Sequence, residues 1–335
     1  MSGAGKSARQ RLGTPTLAML PRISDSLSFL YLESMRIVQD DTGVCAQVEN
    51  ARGTDRTYLP TAALACVLLG PGTSITQPAL ATFARHGTTL VCVGAGGVRS
   101  YANIMPSSLS TNWLTKQARI FADDTLRLDA ATRMYRRRFS TTVPSGTTLA
   151  QLRGMEGQRV KALYKILADK YRIGRFKRNY DPTAWDSQDP VNLALSAANT
   201  CLYGVVHAAI TALGCSPALG VIHSGAQHAF VYDVADLYKA QLTIPLAFSL
   251  NASADPERDA RRHLREEFRL FKLLPTIVAD IQHVLDPTVE VPDGETTTDL
   301  VHLWDPNLGS VAAGVNYGRD DVDYEQITDP FDWPE

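Results

Sequence analysis

The chain has 335 residues, of which 44% are hydrophobic, so it can bury a sizeable core and is predicted to form two domains rather than one. Its five cysteines are odd in number and no pair has the C-x-x-C spacing, which argues against a disulfide framework and a cysteine-based zinc site. We therefore expect the reducing environment of the cytoplasm.

The net charge of -2 conceals an uneven distribution along the chain. Residues 286–335 carry 13 Asp and Glu against one basic residue, whereas the rest carries 32 Lys and Arg against 22 Asp and Glu. A basic body with an acidic tail is typical of a protein that binds a polyanion. The tail is equally consistent with masking the basic surface, docking on a partner, or solubilising the protein, and we expect part of it to be disordered without a partner.

A β-rich N-terminal domain is predicted over residues 20–105, after a flexible basic leader at 1–19. The predicted strands are 27–32, 44–48, 65–69, 89–93 and 98–102, with one helix at about 77–85. The glycine-rich stretch at 94–97 leads into a strand and not a helix, so it does not qualify as a dinucleotide-binding fingerprint. A linker is predicted at 106–114.

Helical patterns then predict a helical domain over residues 115–285. The predicted helices are 115–139, 154–171, 192–213, 234–241 and 255–285, the last beginning at the Asp255-Pro256 start signal. The apolar run at 193–215 is long enough to raise the question of a membrane span, but its polar residues favour a buried helix. The predicted fold is therefore α+β: a small β-rich domain, a larger all-helical domain and the acidic tail.

Four residues are candidates for a metal site. Glu156 lies in line with the apolar face of its predicted helix, where it could simply complement the helix dipole. Asp233 and Asp236 have capping-box spacing ahead of another predicted helix, and taken alone they are better explained as caps. His223, taken alone, is more typical of a hydrogen-bonded core residue. Together the four form a hard, oxygen-rich set that suits Mg²⁺ or Mn²⁺ better than zinc.

Two basic clusters are candidate nucleic-acid contacts. They are Arg133, Arg136, Arg137 and Arg138, and then Lys170, Arg172, Arg175, Lys177 and Arg178. An ordinary solvated surface would have the same composition. The aromatic residues Tyr171, Phe176 and Tyr180 beside the second cluster favour nucleic acid, because rings stack on bases while cations hold phosphates.

Several segments in order along residues 20–285 resemble the CRISPR-associated integrase of spacer acquisition (the Cas-one family), and specifically its type I-E branch. They are 152–157, 180–182, 201–205 and 223–236, with 71–73 and 97–102 in the N-terminal part. The resemblance implies that Glu156, His223 and Asp236 bind the metal, with Asp233 close by in the same site. It also implies DNA contacts from Arg99, Tyr180, Tyr203 and Tyr232.

The resemblance further implies a homodimer that assembles with a small ferredoxin-like partner subunit (the Cas-two protein) on double-stranded DNA, comprising a captured fragment and the CRISPR repeat. The resulting hypothesis is a metal-dependent DNA integrase in which a 3′-hydroxyl attacks a phosphodiester, and Asp233 or a water manages the proton. Two alternatives stay open: a structure-selective nuclease of branched DNA in repair, and a non-catalytic DNA-binding scaffold.

Overall fold

The computed structural model of the chain describes residues 29–50, 53–97, 99–139, 143–179, 189–265, 273–289, 302–305 and 309–312. Within these ranges strands occupy the N-terminal part and helices follow from residue 112, so the predicted α+β fold is confirmed. The predicted leader at 1–19 lies outside the described residues. Most of the predicted tail does too, apart from 286–289 and a pair of antiparallel strands, β9 (His302–Asp305) and β10 (Gly309–Ala312).

Two four-stranded sheets form the N-terminal part. The strands are β1 (Phe29–Leu32), β2 (Arg36–Gln39), β3 (Val44–Asn50), β4 (Gly53–Tyr58), β5 (Cys66–Leu69), β6 (Ser74–Ile75), β7 (Thr89–Val93) and β8 (Ser100–Ile104). In the first sheet β1, β5 and β7 run parallel and β8 pairs antiparallel with β7. The second sheet has the order β4-β3-β2-β6.

The first sheet is covered on both faces. One face shares a core with the second sheet and with helix α1 (Gln77–Arg85), around the buried Phe83. The other face, which includes Leu68 and Val91, packs against Ala208 and Ala212 of a long helix in the C-terminal part. Burial on both faces explains why β5 and β7 consist almost entirely of apolar residues.

Helices build the C-terminal part. They are α2 (Asn112–Ala122), α3 (Asp124–Phe139), α4 (Leu149–Lys170), α5 (Pro190–Ala212), α6 (Ala229–Lys239), α7 (Thr243–Ser249), α8 (Pro256–Arg265) and α9 (Leu274–Leu285). The predicted single helix at 115–139 is wrong, because Asp123 interrupts it and caps α3 by accepting from the backbone N–H of Thr125 and Leu126 at 2.8 and 3.0 Å.

Other helix boundaries also differ from prediction. Helix α4 begins five residues before the predicted residue 154, because Thr148 and Gln151 form a capping box there. The predicted start at Asp255 is confirmed, since its carboxylate accepts from the backbone N–H of Arg258 at 3.0 Å. The predicted helix at 255–285 is described as α8 and α9, and residues 266–272 between them lie outside the described residues. Helix α7 was not predicted.

Helix α5 is the axis of the C-terminal core. Its length and composition would allow it to cross a membrane, but 78% of its apolar window is buried inside the protein. It packs against the other helices around Leu195, Leu202 and Val206 and against the first sheet through Ala208 and Ala212. The prediction of a buried helix is therefore confirmed.

Candidate active site

Glu156, His223 and Asp236 line one cleft of about 330 Å³, together with Arg153, Ile222 and Ser224. Glu156 comes from α4, His223 from the loop before α6, and Asp236 from α6 itself. Three segments that are distant in sequence therefore meet around one space. This is the grouping that the sequence predicted for a metal site.

One interpretation of the sequence was that Glu156 complements the helix dipole, and the position of Glu156 in α4 contradicts it. Because α4 begins at Leu149, Glu156 is about two turns inside the helix, beyond the unpaired first-turn amides. Its Oε2 accepts a 2.8 Å hydrogen bond from the hydroxyl of Tyr135. Its Oε1 pairs with the guanidinium of Arg138. Both partners come from α3, so two helices fix this carboxylate.

Asp236 is also held by cationic side chains. Its Oδ1 lies 2.6 Å from Nζ of Lys239, and its Oδ2 lies 3.8 Å from Nη1 of Arg138. Burial is the largest single influence and lowers the pKa of Lys239, but the Asp236 carboxylate and Tyr203 together outweigh burial and leave that pKa above its ordinary value. The Arg138 side chain is only 6% exposed and is paired with Glu156, and its predicted role as a DNA contact stays a prediction.

The capping interpretation of Asp233 and Asp236 is wrong. Helix α6 begins at Ala229 rather than at residue 234, with His228 at the N-cap position and no side-chain cap. Both aspartates therefore lie inside the helix, three residues apart and on neighbouring faces. One of them is buried against the preceding loop and the other faces the cleft.

Asp233 is the buried member of that pair, with a fully buried side chain. Its carboxylate accepts from the backbone N–H of Val221, Ile222 and His223 at 2.5, 3.0 and 2.9 Å. It also accepts from Nδ1 of the His223 ring at 2.6 Å. These four bonds fill the acceptor sites of the carboxylate, so Asp233 orients the loop and the His223 ring, and its role in moving a proton stays a prediction.

The same bond decides how His223 faces the cleft. A carboxylate can only accept, so Nδ1 carries the proton and Nε2 remains as the acceptor nitrogen. The hydrogen bond to Asp233 also raises the pKa of His223 above its ordinary value. A ring whose Nδ1–H is held by a carboxylate is the usual arrangement of a metal-binding histidine.

Two arginines hold the same loop from its other side. Arg127 Nε donates to the carbonyl of Val221 at 2.6 Å, and Arg153 Nη2 donates to the carbonyl of Ile222 at 2.6 Å. The loop is therefore fixed through its amides by α6 and through its carbonyls by α3 and α4. Arg127 and Arg153 also line an adjoining cleft of about 380 Å³, which shares Arg153 and Ser224 with the first.

The predicted aromatic residues lie beside the cleft where they are described. The ring centroid of Tyr232 is 5.1 Å from that of Tyr203 and 6.0 Å from that of His223. Lys239 Nζ lies 4.9 Å from the Tyr203 ring centroid. Tyr180 lies outside the described residues, so its role stays a prediction.

Arg99 approaches the same region from the N-terminal part. It has a left-handed φ of 65° and an exposed side chain. Its backbone lies against Gly204 of α5, where an added Cβ would come within 2.8 Å of the Arg99 nitrogen. Gly204 follows Tyr203 in α5, so the Arg99 backbone packs against the helix that carries this aromatic residue.

The basic clusters divide into inward and outward side chains. Arg137 Nε lies 2.7 Å from Asp280 Oδ1, and Arg178 donates to Asn192 Oδ1 at 2.8 Å, so these two make internal contacts and their DNA contacts stay a prediction. Arg175 and Lys177 are exposed. The ring of Phe176 packs edge-on against Tyr164 and Phe248, and its stacking on bases stays a prediction. Tyr171 likewise packs against the helical core.

Sequence reasoning missed several members of the site, and helical spacing would have indicated two of them. Residues three apart on a helix lie next to each other, so each carboxylate could have been searched for cationic neighbours at that spacing. That search finds Arg153 beside Glu156 and Lys239 beside Asp236. It does not find Tyr135 and Arg138, because both lie on α3 and contact Glu156 from a different helix.

The donor types at the cleft fit a hard divalent cation, since two carboxylates and one imidazole nitrogen are ligands that Mg²⁺ and Mn²⁺ accept. Within the described ranges, however, no group of three His, Cys, Asp or Glu side chains is close enough to hold an ion. Nη1 of Arg138 faces both Glu156 and Asp236 instead. The residues therefore have the chemistry of a metal site, but the two carboxylates face the guanidinium of Arg138.

Comparison with known proteins identifies the family. The model of the family "CRISPR associated protein Cas1" matches residues 136–263. The CRISPR-associated endonuclease Cas1 2 of Thermus thermophilus is 41% identical over 311 residues, which cover 91% of this chain and 94% of that protein. The CRISPR-associated endonuclease Cas1 of Escherichia coli is 40% identical over 232 residues, which cover 69% of this chain and 76% of that protein.

A solved structure of a TtCas1-DNA complex superimposes with a TM-score of 0.71 at 40% identity, covering 80% of this chain and 99% of that one. The similarity thus extends over both the sheets and the helices. The family predicted from the sequence is confirmed, and the chain belongs to the Cas1 family of CRISPR-associated endonucleases.

Proposed function

We propose that this chain is a metal-dependent DNA integrase and endonuclease that inserts short foreign DNA fragments as new spacers into a CRISPR array. The reaction is the attack of a 3′-hydroxyl on a phosphodiester. The observation that carries the proposal is the convergence of Glu156, His223 and Asp236 on one cleft. It is supported by relatives named as CRISPR-associated endonucleases and by a homologous structure solved with DNA.

Glu156, Asp236 and Nε2 of His223 are the groups that would hold Mg²⁺ or Mn²⁺. Bound there, such an ion would stabilise charge on the attacked phosphodiester and on its leaving oxygen. Asp233 acts as a positioning residue, because it orients the His223 ring and the loop that carries it. Arg153 lines the cleft, where its guanidinium is placed to contact a DNA phosphate.

DNA would approach over the exposed cations Arg99, Arg175 and Lys177, with Tyr203 and Tyr232 beside the reacting strand. Neutralisation of phosphates by these cations makes the affinity fall steeply with salt. Integration at the two ends of a repeat requires two active sites, which a homodimer supplies. A small ferredoxin-like partner subunit completes the proposed assembly.

The test is an integration assay with the purified chain, the partner subunit, Mn²⁺, a short double-stranded DNA and a supercoiled plasmid that carries a repeat. We expect strand-transfer products at the repeat boundaries with the wild-type chain. Glu156→Ala and Asp236→Ala should abolish them. Asp169→Ala, which removes an exposed carboxylate at the far end of α4, should leave them unchanged.

Three other outcomes would contradict the proposal, each in a different way. Transfer that survives in Asp236→Ala would show that the site is misassigned. Cleavage of branched DNA without transfer to the plasmid would favour a repair nuclease. DNA binding with neither cleavage nor transfer, in the wild-type chain with either metal, would favour a scaffold.

A further inference from the structure

Each carboxylate of the cleft has one oxygen held by a fixed partner and one that faces Arg138. On Glu156, Tyr135 holds Oε2 while Oε1 pairs with the guanidinium of Arg138. On Asp236, Lys239 holds Oδ1 while Oδ2 lies 3.8 Å from Nη1 of Arg138. The single atom Nη1 therefore faces the two oxygens that have no other partner among the described contacts of these residues.

Burial explains why a cation sits there. The side chains of Glu156 and Asp236 are only 20% and 17% exposed, and two like charges this close and this poorly hydrated repel each other strongly. The Arg138 side chain is itself 6% exposed, so its charge is in turn compensated by the two carboxylates. Its neighbours Arg136 and Arg137 are exposed, which sets Arg138 apart within the first basic cluster.

We propose that Arg138 is a built-in counter-cation of the site, and that its guanidinium must leave Glu156 Oε1 and Asp236 Oδ2 before a divalent cation can bind both carboxylates. The proposal rests on the metal dependence proposed above. It adds that the protein and the ion compete for the same two oxygens. Tyr135 and Lys239 can keep their own bonds during the exchange, since they hold the other oxygen of each carboxylate.

The exchange predicts a metal affinity that rises when Arg138 loses its charge. Titration calorimetry of Mn²⁺ alone into the full chain would measure it. Arg138→Gln should bind Mn²⁺ about tenfold more tightly than wild type, because a charge-assisted bond no longer has to be broken. Arg138→Lys keeps the competing charge and should stay within about threefold of wild type. Arg136→Gln, an exposed neighbour on the same helix, should match wild type.

A second readout guards against effects on folding. Without Mn²⁺ the melting temperature of Arg138→Gln should fall below that of wild type, and saturating Mn²⁺ should raise it by more than it raises wild type. Arg138→Met keeps the apolar stem of the side chain and replaces Arg138→Gln if that variant does not fold. The same tightening is expected for it.

The outcomes separate this inference from the proposed function. If wild type binds Mn²⁺ and the neutral variants bind it equally or more weakly, Arg138 is not a competitor and the inference fails alone. If wild type and both neutral variants all fail to bind Mn²⁺, as Glu156→Ala should, the metal dependence fails and this inference with it. Tighter binding that also appears in Arg136→Gln would trace the effect to overall charge and overturn the inference.

Discussion

The buried carboxylate of Asp233 and the imidazole of His223 are joined by a 2.6 Å hydrogen bond that fixes the ring in the cleft. The same carboxylate also holds the backbone amides of residues 221–223. The Asp233 side chain therefore contributes both to the shape of the loop and to the orientation of the ring. A defect at Asp233 should consequently appear in stability and in activity together.

Asp233→Asn tests this coupling. The amide keeps the size of the side chain but replaces one acceptor oxygen by a donor, which leaves buried amide groups without a partner. We expect a loss of about 2–4 kcal/mol in the free energy of unfolding, measured in urea. Strand transfer should fall about 10- to 100-fold under conditions where the variant is folded. Asp169→Asn is the matched control, and a wild-type unfolding midpoint for Asp233→Asn would contradict the role assigned to the loop.

Gly204→Ala tests the contact between α5 and Arg99. The new Cβ would come within 2.4 Å of the Gly97 carbonyl oxygen and 2.8 Å of the Arg99 backbone nitrogen, so either the helix or the segment 97–99 has to move. We expect a destabilisation of about 1–3 kcal/mol and weaker DNA binding. Gly154→Ala is the control, because no atom lies within 4 Å of its added Cβ. That variant should be stabilised by about 0.5–1 kcal/mol, since alanine favours a helix.

Phe176 and Lys177 are adjacent in sequence and should behave in opposite ways. Phe176 packs against two aromatic rings, so Phe176→Ala should destabilise the fold by about 2–4 kcal/mol. Lys177 is exposed, so Lys177→Ala should leave the unfolding midpoint unchanged. It should instead weaken DNA binding and reduce the slope of log affinity against log salt by about 0.9. If Phe176→Ala and Lys177→Ala weaken DNA binding by folded protein equally, the result would support stacking of Phe176 on bases.

Because His207 is largely buried, we expect the protein to lose stability in mild acid. Burial lowers the pKa of His207 to about 4, and the neighbouring His228 acts in the same direction. The folded protein keeps the ring neutral, whereas the unfolded chain protonates it near pH 6.5, as is usual for histidine. The contribution of the neutral His207 ring to the free energy of unfolding is therefore complete above about pH 6.5, and it is lost as the pH falls toward about 4.

We expect that loss to be about 1–2 kcal/mol, after allowance for the part of the ring that contacts solvent. The measurement is the urea midpoint of wild type and His207→Gln across this pH range. Wild type should lose stability relative to His207→Gln as the pH falls from about 6.5 to about 4. Parallel curves would show that the fold does not keep this ring neutral.

The strands of the first sheet were readable from sequence because β5 and β7 are buried on both faces and are therefore apolar throughout. Strand β4 gave no such signal, because five of its six residues are exposed. The start of α6 was misplaced for a related reason. The capping-box spacing of Asp233 and Asp236 was a local signal, whereas the start at Ala229 is set by tertiary packing, since Ala229 is itself fully buried.

The metal-site candidates could be grouped from residue type and resemblance, but their partners could not. Arg138 looked like one of several surface cations at the end of a helix. What separates it from Arg136 is a contact with Glu156, which lies on a different helix. No periodicity within one segment encodes the angle at which two helices cross. The inward direction of Arg138 is thus a property of the packed helices and not of its local sequence.

The close approach of residues 97–99 to Gly204 limits how the two parts of the molecule can move relative to each other. Gly97 and Arg99 belong to the N-terminal part and Gly204 to α5, and a Cβ added at Gly204 would come within 2.4 Å of the Gly97 carbonyl oxygen and 2.8 Å of the Arg99 nitrogen. The boundary between the two parts is therefore not a hinge at this point. Under the proposed function, a DNA strand bound by both Arg99 and Tyr203 would meet the two residues at a fixed spacing.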